Sequence, residues 1–174
     1  MSSFVVFGNL ERKFERMAIA IKENYDSFPK PLFIQAGINF NFFENAPSDI
    51  IVFRSCSYSD FSEYILNSEL VVTHGGVGTI KESMFAGLKP AVFVRYGSKN
   101  EHIDNHQVDW CNLLFEADLA LKVDCPKDLN DYLIKKEFKQ KKIDAVKSFF
   151  DDKKLKQSLH GYIKITLKNR LIEN

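Results

Sequence analysis

Apolar positions along this chain fall into two kinds of block. Short continuous runs at 4–7, 32–35, 49–53, 70–72, 91–94 and 120–123 are rich in Val, Ile, Leu and Phe and read as buried strands. Elsewhere the spacing is that of a helix. Phe14, Met17, Ala18 and Ile21 share a face within 11–24, and Phe61, Tyr64 and Ile65 share one within 61–67. Helices are also predicted over 79–86, where Gly87 and Pro90 stop the run, from about His106 to 115, and over 128–136. Strands alternating with helices predict an α/β, Rossmann-like parallel sheet with right-handed crossovers and helices on both faces. Near the end, Leu155, Leu159, Tyr162, Ile163, Leu167 and Leu171 predict a last helix over 154–172, with Lys156, Lys164, Lys168 and Arg170 opposite. Its apolar stripe reads as core packing on the sheet, or as a face that docks on a membrane-bound partner while its lysines meet anionic lipid.

Ligands of such sheets sit outside the carboxyl ends of the strands. Gly8-Asn9, Gln35-Ala36-Gly37 and the turn His74-Gly75-Gly76-Val77-Gly78 all follow strands, so all three are predicted on one rim. The last turn leads into a helix. Its glycines allow close approach of backbone to a ligand, and the first N–H groups of the helix have no partner inside it. With the positive end of the helix dipole, they suit an anion, and a diphosphate fits well. Tight strand-to-helix turns also use glycine for purely structural reasons, so the turn alone leaves both readings open.

The turn belongs to a longer pattern: His74-Gly75-Gly76-x-Gly78-Thr79-x-x-Glu82, then Gly87-x-x-Pro90, then Glu101-His102-x-Asp104-Asn105-His106-Gln107. Three blocks in this order and spacing resemble the donor-binding half of glycosyltransferase family 28, most densely across 70–109 and more loosely over about 1–125. The resemblance implies the C-terminal half of a GT-B glycosyltransferase that binds a UDP-sugar. At this length it is similar to the split members of the family, in which the donor half is a separate chain. One example is the catalytic subunit that adds the second GlcNAc of the dolichol-linked precursor; bacterial exopolysaccharide and capsule clusters carry similar short chains.

The resemblance also implies site roles. Glu82 accepts hydrogen bonds from the donor ribose, although Thr79-x-x-Glu82 is equally the pattern of a capping box that needs no ligand. Thr79 places its hydroxyl and N–H near the phosphates. His74 donates to a phosphate oxygen or packs as a satisfied structural histidine. His106 and Gln107 face the donor sugar, with Glu101, Asp104 and Asn105 beside them; alternatively, Asp104 or Asn105 simply caps the helix starting near His106. Gly8 and Asn9 form a tight turn or present amides to the donor phosphates or to the partner's substrate. Asn9 departs from the Gly-Thr common in related chains. Gln35 shares their rim. Arg95, at the end of its strand, reads as a counter-charge for the diphosphate or as a surface cation. Asn39-Phe40-Asn41-Phe42-Phe43 is either core under a loop or an exposed aromatic surface for a partner. No metal or other cofactor is expected, because the fold class resembled works without one.

Size and charge narrow the reading. At 174 residues the chain is one donor-binding domain, with a core over about 1–125 and a basic helical region over about 126–174. The formal net charge of +1 argues against a nucleic-acid partner. Residues 1–125 carry 11 Lys and Arg against 16 Asp and Glu, whereas residues 126–174 carry 13 against 7. The basic tail reads as a solvated helix face or as a surface for an anionic partner or membrane. Cys56, Cys111 and Cys125 have no CxxC spacing, and free thiols fit a reducing cytoplasm. No signal peptide and no membrane span are expected, so recruitment to the cytoplasmic face of a membrane falls to the partner.

The expected reaction is loss of the nucleoside diphosphate from the anomeric carbon, with the helix start after Gly78 stabilising the departing charge. The acceptor hydroxyl needs a general base on the opposite side, and no residue here is an evident one. A membrane-anchored, acceptor-binding partner is expected to supply it, with inversion at the anomeric carbon and a lipid-linked saccharide as acceptor. Two other classes stay open: a non-catalytic enhancer of a partner transferase, and a nucleotide-sugar epimerase or hydrolase relative.

Overall fold

The computed structural model describes residues 2–151, apart from the side chains of His106 and Ile143. The expected helix over 154–172 lies outside the described residues. The strands are β1 Ser2–Val6, β2 Leu32–Gln35, β3 Ile50–Phe53, β4 Ser68–His74, β5 Ala91–Phe93 and β6 Leu121–Lys122. They form one sheet in the order β3-β2-β1-β4-β5-β6, with every neighbouring pair parallel. The helices are α1 Glu15–Glu23, α2 Tyr58–Leu66, α3 Val77–Phe85, α4 His106–Glu116, α5 Pro126–Lys135 and α6 Ile143–Asp151.

Alternation along the strands builds two cores. On β1, Val5 and Phe7 face α1 and α5, joining Phe14, Met17, Ile21, Leu129 and Leu133. Phe4 and Val6 face the other way. There Phe4 meets Phe53, Phe61 and Tyr64 at ring-centroid distances of 6.4, 5.5 and 5.2 Å. Beside that cluster, Ile80 and Met84 of α3, Trp110 and Leu114 of α4, and Val146 and Phe150 of α6 pack together over Val92.

Three boundaries differ from the sequence expectation. Helix α1 starts at Glu15 rather than 11, because Asn39 Oδ1 accepts the Phe14 N–H at 2.7 Å and holds the preceding segment as a loop. Helix α2 starts at Tyr58, with Ser57 accepting the Asp60 N–H at 3.1 Å as its N-cap. Helix α3 starts at Val77, so Gly78 lies inside its first turn. The segment Gly37–Phe43 forms 3-10 turns; Phe43 is buried, and Phe40 and Phe42 pack against the core beside it. The core reading of that aromatic stretch therefore holds. Helix α6 was not expected: its apolar residues follow a strongly charged stretch.

Candidate functional site

Sheet order reverses between β1 and β4. Chain leaving β1 crosses toward β2, and chain leaving β4 crosses toward β5, so a crevice opens above their carboxyl ends. Gly8-Asn9 leaves one wall of it and His74–Gly78 the other.

The β4–α3 turn is built tightly. Gly76 N–H donates to the His74 carbonyl at 2.8 Å, and the Gly76 carbonyl accepts from Ile80 N–H at 3.2 Å. The amides of Val77, Gly78 and Thr79 thus form the open first turn of α3, where helical bonding leaves them unpaired. Gly78 is exposed, and a Cβ placed on it would meet no atom within 4 Å. Thr79 is the third residue of the helix, so Thr79 and Glu82 are not a capping box. They lie one turn apart on a shared face, next to Gly78, and neither side chain is hydrogen-bonded among the described residues. Trp110 Nε1 donates to the Gly75 carbonyl at 3.1 Å, tying the turn to α4.

His74 packs as a structural histidine. A Cβ on Gly8 would fall 2.4 Å from its Nε2, and one on Gly76 would fall 2.2 Å from its Cε1. The imidazole therefore fills the space between the two turns that flank the crevice. Its Nδ1 is buried without a hydrogen-bond partner among the described residues. Burial first, then the charges of Arg95 and His102, push its pKa down to about 3. A ring held neutral adds no positive charge toward an anion.

Gly8 turns with φ +76°, which favours glycine. Its N–H donates to Gln35 Oε1 at 3.0 Å, so that amide is already taken. Gln35 Nε2 donates to the Arg54 carbonyl at 2.9 Å and to Asn9 Oδ1 at 3.3 Å. Gln35 is thus buried and braces the β1 exit from below. Asn9 remains exposed.

Several residues of the third block are engaged by the fold. Arg95 is no surface cation: it is buried, donating to the carbonyls of Phe7 at 2.9 Å, Arg12 at 3.1 Å and Glu101 at 3.1 Å. Its guanidinium sits 4.3 Å from the Phe14 ring centre, and burial lowers its pKa to about 10, so it stays charged at neutral pH. With its donors turned inward it is not presented to a diphosphate. Glu101 is also buried; its carboxylate accepts from Arg16 Nε and Nη2 at 3.2 and 3.0 Å and from Tyr96 N–H at 3.1 Å. Asp104 N–H donates to His102 Nδ1 at 3.3 Å, with the Asp104 carboxylate 3.1 Å from the same nitrogen. Asn105 occupies the N-cap position of α4, but its Oδ1 accepts from Gly97 N–H at 3.0 Å and caps no helix amide. Gln107 is buried against Gly75, its Oε1 without a hydrogen-bond partner among the described residues. His106 begins α4.

A cavity of about 1540 Å³ adjoins the crevice, lined by Asn9, Arg12, Lys99, Glu101 and Asp104 among others. Ile19, Ile38 and Ile103 line it too, each 44–47% exposed. The glycine turn does not line this cavity, so the expected residues divide between two adjoining regions. The sequence reading missed Arg12, Arg16 and Lys99 as residues of this cavity. Arg16 left one signal: it lies four residues before Ala20, on the inner side of α1. Among the described residues, no group of three or more His, Cys, Asp or Glu is placed to hold a metal ion. Nor is any helix among them long and apolar enough to cross a membrane.

A family model of the glycosyltransferase family 28 C-terminal domain matches residues 12–159, a stretch containing the β4–α3 turn and the block at 101–107. The chain belongs to that family. Among solved structures, one described as the glycotransferase of kitacinnamycin is similar at 18% sequence identity and a TM-score of 0.64. The match covers 99% of this chain and 42% of that one, so the chain spans less than half the length of its structural relative. Together these give the fold, the α/β C-terminal half of a GT-B glycosyltransferase. A search of curated proteins finds no match.

Two predictions follow from the packing of His74. Gly76 has an ordinary φ of −78°, so Gly76→Ala fails only by collision with the imidazole. It should cost about 1–3 kcal/mol of unfolding free energy in the wild type and much less in a His74→Ala background. A double-mutant cycle by urea unfolding reads the coupling. The second concerns pH. The folded pKa of about 3 lies below the ordinary 6.5, so the unfolded chain takes up the proton first on acidification. Stability is complete above 6.5 and is lost as pH falls from there toward 3. By NMR, the His74 ring resonances should not move between about pH 5 and pH 8.

Proposed function

We propose that this chain is the donor-binding part of a UDP-sugar glycosyltransferase. One observation carries the reading: at the sheet's switch point, the open amides at Val77–Thr79 share a face with the unpartnered side chains of Thr79 and Glu82. Amides at a helix start suit a diphosphate, and a free carboxylate one turn on suits the two hydroxyls of a ribose. Family membership supports the same assignment. On leaving, the nucleoside diphosphate gains charge where the helix dipole and fixed N–H donors stabilise it.

Transfer is proposed to be of a hexosyl unit, with inversion, to a lipid-linked saccharide in polysaccharide or exopolysaccharide assembly. The acceptor site and general base are assigned to a membrane-anchored partner subunit that brings the chain to the cytoplasmic face of the membrane.

Isothermal titration of the chain with UDP and with UDP-sugars, alone and with the partner, tests the donor site. Binding of uridine nucleotides is expected; a folded chain that binds none contradicts the reading. Glu82→Ala should weaken UDP binding roughly tenfold to a hundredfold, the worth of one or two hydrogen bonds to a charged group. Transferase activity of the complex should collapse with it. Activity that survives Glu82→Ala would instead mark the chain as a non-catalytic enhancer of its partner.

A further inference from the structure

The segment 94–105, between β5 and α4, carries Asp104 and Asn105 and leads directly into Gln107. Beyond one 3-10 turn at Gly97–Lys99 it has no regular structure. Two side chains from another part of the fold hold it: Arg12, which donates to Asn100 Oδ1, and Arg16, which makes the more buried contacts. Arg16 of α1 reaches across and grips the segment at its start, Val94, and again at Glu101. Its Nη2 donates to the Val94 carbonyl at 2.7 Å, and its Nε and Nη2 form a two-pronged pair with Glu101. Its Nη1 donates to the Asp124 carbonyl and to Oδ1, each at 3.2 Å, anchoring the assembly to the chain after β6. Phe14, Phe93 and Tyr96 place ring centres 5.3, 5.8 and 5.3 Å from the guanidinium carbon, and only 16% of the side chain is exposed.

The pair therefore sits in a low-dielectric surround, where a two-pronged guanidinium–carboxylate contact is both strong and directional. Glu101 passes the constraint on, because the same carboxylate accepts the Tyr96 N–H and its main-chain carbonyl accepts from Arg95. Asn105 closes the segment on itself through Gly97. The β4–α3 turn is held by His74 and by Trp110 of α4, and Gln107, just past the segment, packs against its Gly75.

We infer that Arg16 is a positioning residue: through Glu101 it sets the segment leading to Gln107, which lies against Gly75 and so beside a diphosphate held at the turn, where the donor's sugar would extend, while Arg16 itself bonds no residue of that turn. This rests on the donor-site reading above. Arg16 bonds only the segment and the chain after β6, so loss of its grip should disturb recognition of sugar more than recognition of nucleotide. A residue needed only for stability would lower the melting temperature and leave that selectivity unchanged.

The test uses the full chain, with affinities for UDP, UDP-GlcNAc, UDP-glucose and UDP-galactose measured by calorimetry at a temperature where each variant is folded. In the wild type, one UDP-sugar should bind more tightly than UDP. Arg16→Gln should reduce that preference by about tenfold, the scale of effect expected when a contact is misplaced by less than 1 Å, while UDP affinity stays within about twofold. If Arg16→Gln does not fold, Glu101→Gln carries the same expectation, since it keeps the side chain's shape and an acceptor for Tyr96 N–H. An unchanged preference in a folded variant overturns the inference and leaves the donor site standing. A wild-type chain that binds UDP but prefers no sugar also overturns it. A wild-type chain that binds no uridine nucleotide overturns the donor site and, with it, the inference.

Discussion

The parallel pairing of β1 with β4 is the constraint on which the site depends. It aligns Val6 with Thr73, so both strands end at the same level and their loops leave in opposite directions. Nothing regular can fill the gap that results. The His74 imidazole fills its lower part, and it fits only because the turns on either side have glycine where a Cβ would come within 2.4 Å of the ring. Gly8 and Gly76 thus answer to packing. Gly78 is different: it faces open space at the start of α3, where the amides are free.

Two arginines organise what surrounds the gap. Arg95 gathers carbonyls from the end of β1, from the entry to α1 and from Glu101; Arg16 joins α1 to the segments after β5 and β6. Neither side chain points its charge at the glycine turn. The positive potential there comes from the backbone of α3, together with the buried Arg95, whose charge reaches the adjoining His74. Such a site is fixed in direction and insensitive to protonation over the physiological range, as the neutral His74 beside it also requires.

Much of this was legible in the sequence. Continuous apolar runs marked all six strands, since strands buried on both faces leave no other signature. The order of strands and helices implied the parallel sheet and its rim. Glycines, Thr79 and Glu82 could be read as one motif because they are close in sequence and lie on one turn and one helix. The block at 101–107 was read less well. Its polar density suggested a surface facing a ligand, yet Glu101 and Gln107 are buried, because their surroundings come from α1 and from the β4–α3 turn. Pairing over 85 residues, as between Arg16 and Glu101, leaves no local pattern. Helix α6 was missed for a related reason: what fixes it is contact with α3, where the tilted rings of Phe85 and Phe150 meet at a centroid distance of 6.0 Å.

The central claim is that the start of α3 holds the two phosphates of a nucleotide. Backbone amide NMR of the isotopically labelled chain, titrated with UDP, tests it most directly. The account predicts saturable shifts centred on the amides of Val77, Gly78 and Thr79, with smaller ones at Glu82. Shifts confined to the cavity beside Arg12 and Ile103, with those three amides unmoved, would contradict it.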